Sequence, residues 1–340
     1  MADLDKKQNN LDCTQEFRRS RRGITNFIDN NRRALIALIV FIILMLFFII
    51  ANPKIFLGWE IYEAIFISLP IRIVLALPLV FVIVSREIDL SFVSNMSFSL
   101  WIFAATAKAG WNPFLCMLLA ILAGTLVGFI NGMLVNRIGL QSLMTTIGMK
   151  FLLQGLVTGG SNITPISLSF LVGTPFYNTF AGKIGNFPVQ MIWAVIALVI
   201  AMLLFNYHKF GSHISCVGDN LESSREMGIR TVRVKTLAFV YVGIASGFAG
   251  VLSGLIYLSF QPRPGSPDEL MLAALASIFI GGTPTTGGVG TIFGAFIGAC
   301  TIRFIQTGVI EVGLTGFWTQ FFNGLIILLA LTSHKFYKSR

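Results

Sequence analysis

Three polar stretches in an otherwise apolar chain of 340 residues carry the side chains able to do chemistry. The first is Ile88-Asp89-Leu90-Ser91, with Ser94 and Asn95 just beyond it. A carboxylate and a hydroxyl at a helix start can satisfy free backbone N–H groups. The same groups could instead hydrogen-bond a polyhydroxyl ligand, and both readings fit the residues. The second stretch runs from Ser215 to Thr231. Asp219, with Glu222 three residues on, reads as a capping box, and Gly228 reads as a left-handed stop. Between them Asn220, Ser223, Ser224 and Arg225 leave about two turns of polar helix with nothing of its own to bury. So short a helix must dock on something, unless the segment is simply a solvated loop. The third stretch, Gly281-Gly-Thr-Pro-Thr-Thr-Gly-Gly-Val-Gly290, is a turn or broken helix around Thr283. It lacks the basic residue of a phosphate cradle. Non-helical backbone at membrane depth must be buried in protein or line a cavity.

Other chemistry is absent from the sequence. There is no G-x-x-x-x-G-K-[ST], H-E-x-x-H or G-x-S-x-G pattern. Cys13, Cys116, Cys216 and Cys300 are scattered and imply neither a disulfide framework nor a metal site. His208, His213 and His334 fall near expected membrane borders and suggest no ligand role. No catalytic residue and no cofactor are expected. Carriers driven by protons or sodium usually hold carboxylates within the membrane, and Asp89 is the only acid here that fits. The charges inside apolar runs are instead basic: Arg72, Lys150 and Arg303. Each can be read as reaching an interface or pairing with a carbonyl.

The elements that hold these stretches are membrane helices. Hydrophobic residues make up 55% of the chain and charged residues 12%, against about twice that charge in globular chains. A spanning helix needs about 20 mostly apolar residues. Runs that fit are 34–51, 64–84, 92–107, 114–135, 138–157, 189–206, 237–258, 268–282, 289–308 and 314–332. The third and eighth are short and rich in small residues, which favours burial among other helices. The run 34–51 follows 33 polar residues and precedes no small-residue cleavage pattern, so it reads as a retained anchor and not a signal peptide.

Basic residues orient the bundle. With the N-terminus inside, only Lys54, Lys108, Lys183 and Arg263 of the 25 Lys and Arg residues fall on outer segments. Apart from the three basic residues inside spans, the rest are cytoplasmic, so both termini are expected inside. The net charge of +10 then reads as attraction to an anionic bilayer surface and not to nucleic acid. The domain reading is a cytoplasmic tail over 1–33, a transmembrane unit over 34–332 with a cytoplasmic loop over 207–236, and a short tail over 333–340. The long segment 158–188 is too polar to span. It could cap the outer mouth of a pathway or simply connect two spans.

Gly124, Gly128 and Gly132 line one face of the fourth run, and Gly290, Gly294 and Gly298 do so near the ninth. Such stripes let backbones pack closely. Their placement fits two halves of five spans, the second inverted.

The three polar stretches, taken in order, resemble the signatures of one family: the permease subunits of bacterial ABC sugar importers of the ribose and autoinducer-2 type. The early pattern G-G-I-D-L-S-V-G-S is matched at Ile88, Asp89, Leu90, Ser91 and Ser94. The middle pattern V-G-x-N-x-x-A-A-x-x-x-G-I is matched at Val217, Gly218, Asn220, Gly228 and Ile229. The late pattern L-G-G-T-x-x-x-G-G-x-G is matched at Gly281, Gly282, Thr283, Gly287, Gly288 and Gly290. The chain departs from the pattern at Arg86-Glu87, where the family has Gly-Gly, at Val93, and at Ser223 and Ser224, which replace an Ala pair. The resemblance implies an all-α, ten-span fold like that of the vitamin-B12-type permeases. It also implies a dimer with a second copy or a paralogue, a periplasmic binding protein that delivers a monosaccharide, and a separate ATPase. The segment from Gly218 to Ile229 would be the coupling element against that ATPase. The residues also allow a self-sufficient secondary transporter, or a polytopic membrane enzyme, although no nucleophile or acid–base pair stands out for the latter.

Overall fold

The structure, a computed structural model, describes residues 34–262 and 268–311 together with positions 313, 318, 321, 324 and 325. Both polar tails and most of the tenth expected span, 314–332, lie outside the described residues. The rest is helical: α1 (Ala34–Ala51), α2 (Pro53–Phe56), α3 (Trp59–Val84), α4 (Phe92–Lys108), α5 (Pro113–Met133), α6 (Ser142–Ser161), α7 (Pro175–Ala181), α8 (Val189–Met202), α9 (Lys209–Asp219), α10 (Leu221–Glu226), α11 (Thr231–Tyr257), α12 (Asp268–Ile280) and α13 (Ile292–Glu311). Among the described residues six helices are long and apolar enough to cross a membrane: α1, α3, α5 and α8 with their π-helical extensions, α11 and α13. The chain is therefore an all-α polytopic membrane protein.

α3 and α11 form the centre. Both are buried along most of their length, and they run in opposite directions past each other. By contrast α1 leaves Ile39, Ile43, Phe47 and Ile50 exposed, as suits a helix facing lipid. Pro70 and Pro78 lie inside α3, tolerated because neighbouring helices enclose the freed backbone groups. α12 has 13 residues. At 1.5 Å per residue it rises about 20 Å, short of a bilayer core. It gives way to the non-helical stretch Gly281–Thr291.

Small residues set the closest approaches. A Cβ on Gly128 would lie 2.4 Å from the Phe239 carbonyl oxygen, and one on Gly243 would lie 2.4 Å from that of Gly124. Gly132 faces Thr236 in the same seam, so the α5 stripe fits against α11. Gly294 and Gly298 pack on the Gly281 and Ser277 carbonyls of the α12 side. Gly290 precedes α13 and packs instead against Val84 and Thr283.

The segment 158–188 folds over one end of the bundle. Ile166–Ser167 pairs antiparallel with Ser259–Phe260. Leu168, Leu171, Phe176 and Phe180 are buried, and Phe180 stacks on Trp193 at 4.9 Å between ring centroids. Aromatic packing makes this segment a compact cover for that end. α9 was not expected. Gly211, Ile214, Val217 and Gly218 form its buried stripe, and His208 Nδ1 caps it by accepting from the Phe210 N–H at 3.1 Å.

Candidate functional site

All three signature stretches meet at the end of the bundle where α3 stops. Val84, the last residue of α3, accepts from the Gly288 N–H at 2.8 Å. Gly218 packs on the same carbonyl: a Cβ there would sit 1.7 Å from the Val84 oxygen and 2.6 Å from the Gly288 nitrogen. No other residue type fits position 218 without moving the end of α3. Gly287 and Gly288 both take a positive φ, 74° and 78°, which bends the glycine-rich loop around this point.

The α3–α4 connection is held from every side. Arg86 adopts a φ of 64°, a left-handed conformation uncommon outside glycine, and its Nη2 donates to the Asp219 carbonyl at 2.6 Å. Glu87 accepts from Lys235 Nζ at 2.6 Å, both side chains being largely buried. The Ile88 N–H donates to Ser142 Oγ at 3.2 Å. Asp89 is buried, and its Oδ1 accepts from the Ser91 N–H at 2.8 Å and the Ser91 hydroxyl at 2.7 Å. Asn131 Nδ2 donates to Ser91 Oγ at 2.8 Å. Burial raises the Asp89 carboxyl to about 6, with the Ser91 hydrogen bonds opposing that rise.

The middle stretch differs from expectation at its start. The helix cap is Asn220 and not Asp219. Asn220 Oδ1 accepts from the Glu222 and Ser223 N–H groups at 3.0 and 3.1 Å, whereas Asp219 is the last residue of α9. The reason is backbone conformation. Asn220 is extended, with φ −146° and ψ 114°, and only such a residue can turn its side chain back onto the first turn. Gly228 takes the expected left-handed turn at φ 79°. α10 is not wholly without a core: Ser224 is buried and donates to the Asn220 carbonyl at 2.7 Å, and Leu221 and Ile229 pack on the main cluster. Its outer face presents Glu222, Ser223, Arg225, Glu226 and Met227 to solvent, with Met227 64% exposed.

Above this junction lies a cavity of about 500 Å³ between α4, α6, α11 and the start of α12. Its polar lining comes from Ser94, Ser97, Gln154, Thr158, Ser253, Tyr257, Ser259 and Gln261, and it contains no charged residue. Of the residues expected along a pathway only Ser94 lines it. Asp89 and Ser91 belong to the junction. Asn95 is buried and donates through Nδ2 to the Gly124 carbonyl at 3.0 Å. Thr283 is buried in the glycine-rich loop, where its Oγ1 accepts from the Thr291 N–H at 3.3 Å. Gln154, Tyr257 and Gln261 carry no motif, so only packing reveals them.

Residues 61–331 match the model of the branched-chain amino acid transport system permease component. The chain belongs to that permease family. It is 31% identical over 308 residues to the autoinducer 2 import system permease protein LsrC of Yersinia enterocolitica, covering 89% of this chain and 82% of that protein. It is 30% identical to LsrC of Photorhabdus luminescens, with 88% and 89% covered. Within this permease, Arg86 stands where the early signature has glycine and retains a glycine-like backbone. The departure at Arg86-Glu87 thus adds two side-chain ties to the junction, one to Asp219 and one to Lys235.

Proposed function

We propose that this permease is the membrane subunit of an ATP-driven importer that carries a sugar-like, polyhydroxylated solute; the likeness to autoinducer 2 import system permeases supports an import role. The observation that carries this reading is the convergence of Val84–Glu87, Gly218–Asp219 and Gly287–Gly288 on one junction. An ATPase subunit docked on the exposed face of α10 would push on α9. Gly218 would pass that push to the end of α3 with no side chain in between to absorb it. The Arg86 and Glu87 ties would carry it to α4 and α11, whose Ser94, Ser97, Ser253 and Tyr257 line the cavity. Uncharged hydroxyl and amide groups suit the hydroxyls of such a cargo.

In this reading the chain does not hydrolyse ATP itself, and a periplasmic binding protein delivers the cargo. Two permeases, identical or paralogous, form the pathway in the inner membrane. The junction faces the cytoplasm together with both termini, and the segment 158–188 covers the outer end. Ten spans in two inverted halves, resembling the vitamin-B12-type permeases, belong to the same reading. In each half a long buried helix (α3, α11) precedes a shorter one (α4, α12) and a glycine-striped one (α5, α13). The test is uptake by vesicles reconstituted with the ATPase and the binding protein. ATP should drive accumulation with no ion gradient, whereas uptake that follows a proton or sodium gradient without ATP would overturn the reading.

A further inference from the structure

Two half-buried cations, Arg72 and Arg303, lie in the middle of this bundle with no ion-pair partner among the described residues. Arg72 is the fourteenth of the 26 residues of α3, about 20 Å from either end, too deep for its side chain to reach an interface. Arg303 and Gln306 lie three residues apart on α13, so they share one face of that helix. Arg72 Nη2 donates to Gln306 Oε1 at 3.0 Å and Nη1 donates to the Ser68 carbonyl at 3.4 Å. Three further donors in this cluster are buried and make no hydrogen bond: Arg72 Nε, Arg303 Nε and Gln306 Nε2. Gln306 is only 3% exposed.

Among the described residues neither arginine is in an ion pair; the basic partners of Asp268, Glu63 and Glu87 are Lys150, Lys183 and Lys235. Glu269, in the first turn of α12, is exposed and is in none of these ion pairs. After Glu311 the sequence has no Asp or Glu, so the last expected span cannot supply a counter-charge. Like charges placed together within a membrane are costly and mark functional positions.

We propose that Arg72, Arg303 and Gln306 form a binding site for an oxyanion carried on the transported solute, making the cargo an acidic sugar derivative with a carboxylate or phosphate. This rests on the importer reading above and narrows its substrate class. Guanidinium groups present planar pairs of donors that match carboxylate and phosphate oxygens, and a bound anion would both pair the charges and fill the open donors. The cavity's neutral polar groups would then hold the hydroxyls of the same molecule.

The test uses the full-length permease in lipid nanodiscs, without ATPase or ATP, so that its outcome is separate from that of the uptake experiment. Binding is measured by calorimetry at matched ionic strength for glucuronate against glucose, galacturonate against galactose and ribose 5-phosphate against ribose, with inorganic phosphate alone as a further probe. At least one acid should bind tenfold or more tightly than its neutral parent. Arg72→Gln and Arg303→Gln should each erase that preference. Arg72→Lys, which keeps the charge and loses the fork, should retain part of it and guards against a folding failure of the glutamine variants. Equal binding of acids and neutral parents, or a preference untouched in Arg303→Gln, would overturn the proposal. Inorganic phosphate binding as tightly as the best sugar acid would also overturn it, by showing a site for free anions.

Discussion

The two polar regions of this permease are built on opposite terms. At the junction four charged side chains have partners: Arg86 holds the Asp219 carbonyl, Lys235 holds Glu87, and Asp89 takes two hydrogen bonds from Ser91. Around Arg72 and Arg303, donors are buried with nothing to bond. A satisfied network is stiff and transmits displacement, because moving one member strains all the others. An unsatisfied one is unstable by itself and improves when something binds. In the proposed reading this contrast corresponds to force at one end of the molecule and recognition in its middle.

Three substitutions sharpen that contrast. The largest effect is expected for Gly218→Val, whose side chain would collide with the Val84 carbonyl. It should displace the end of α3, lower the thermal midpoint of the purified protein and abolish ATP-driven uptake; near-parental uptake would mean that α9 does not bear on α3. Lys235→Met comes next. It strands a largely buried Glu87, a loss of about 3–5 kcal/mol in a fully buried pair and less here because both groups keep some solvent. Combining it with Glu87→Gln should recover most of the thermal midpoint, and a double variant no better than the single one would show that the pair adds nothing. The smallest effect belongs to the cap. Asn220→Ala should cost about 1 kcal/mol while Asp219→Ala costs little, and the reverse order in denaturation would return the cap to Asp219.

Much of the fold was legible because membrane helices announce themselves by composition. The run 34–51 falls on α1 within the described residues, and the starts of α4 and α8 agree with expectation to the residue. Errors arose where helices outlast their apolar stretch. α5 continues through a π turn at Leu134–Ile138 and stops only at Gly139, with φ 89°, so the fifth helix begins at Ser142 and not 138. α11 begins at Thr231, six residues before its apolar run, because Val234 and Thr236 are already buried. The signatures identified the junction's parts, but their meeting could not be read: Val84, Gly218 and Gly288 are far apart in sequence and are joined through backbone atoms. The cavity was the least legible feature, since Gln154 and Tyr257 acquire a role only from their neighbours.

The central claim is that the exposed face of α10 receives an ATPase and that the junction passes on its movement. Glu222→Arg tests it most directly. Glu222 lies in the first turn of α10, is exposed and makes no side-chain hydrogen bond or ion pair among the described residues, and the change puts a positive charge at the positive end of the helix dipole and on the proposed docking face. The decisive measurement is substrate-stimulated ATP hydrolysis by the complex co-purified with its ATPase. The account predicts a protein that inserts and folds like the parent yet loses co-purification or stimulated hydrolysis by tenfold or more. Parental assembly and parental stimulation in that variant would contradict it.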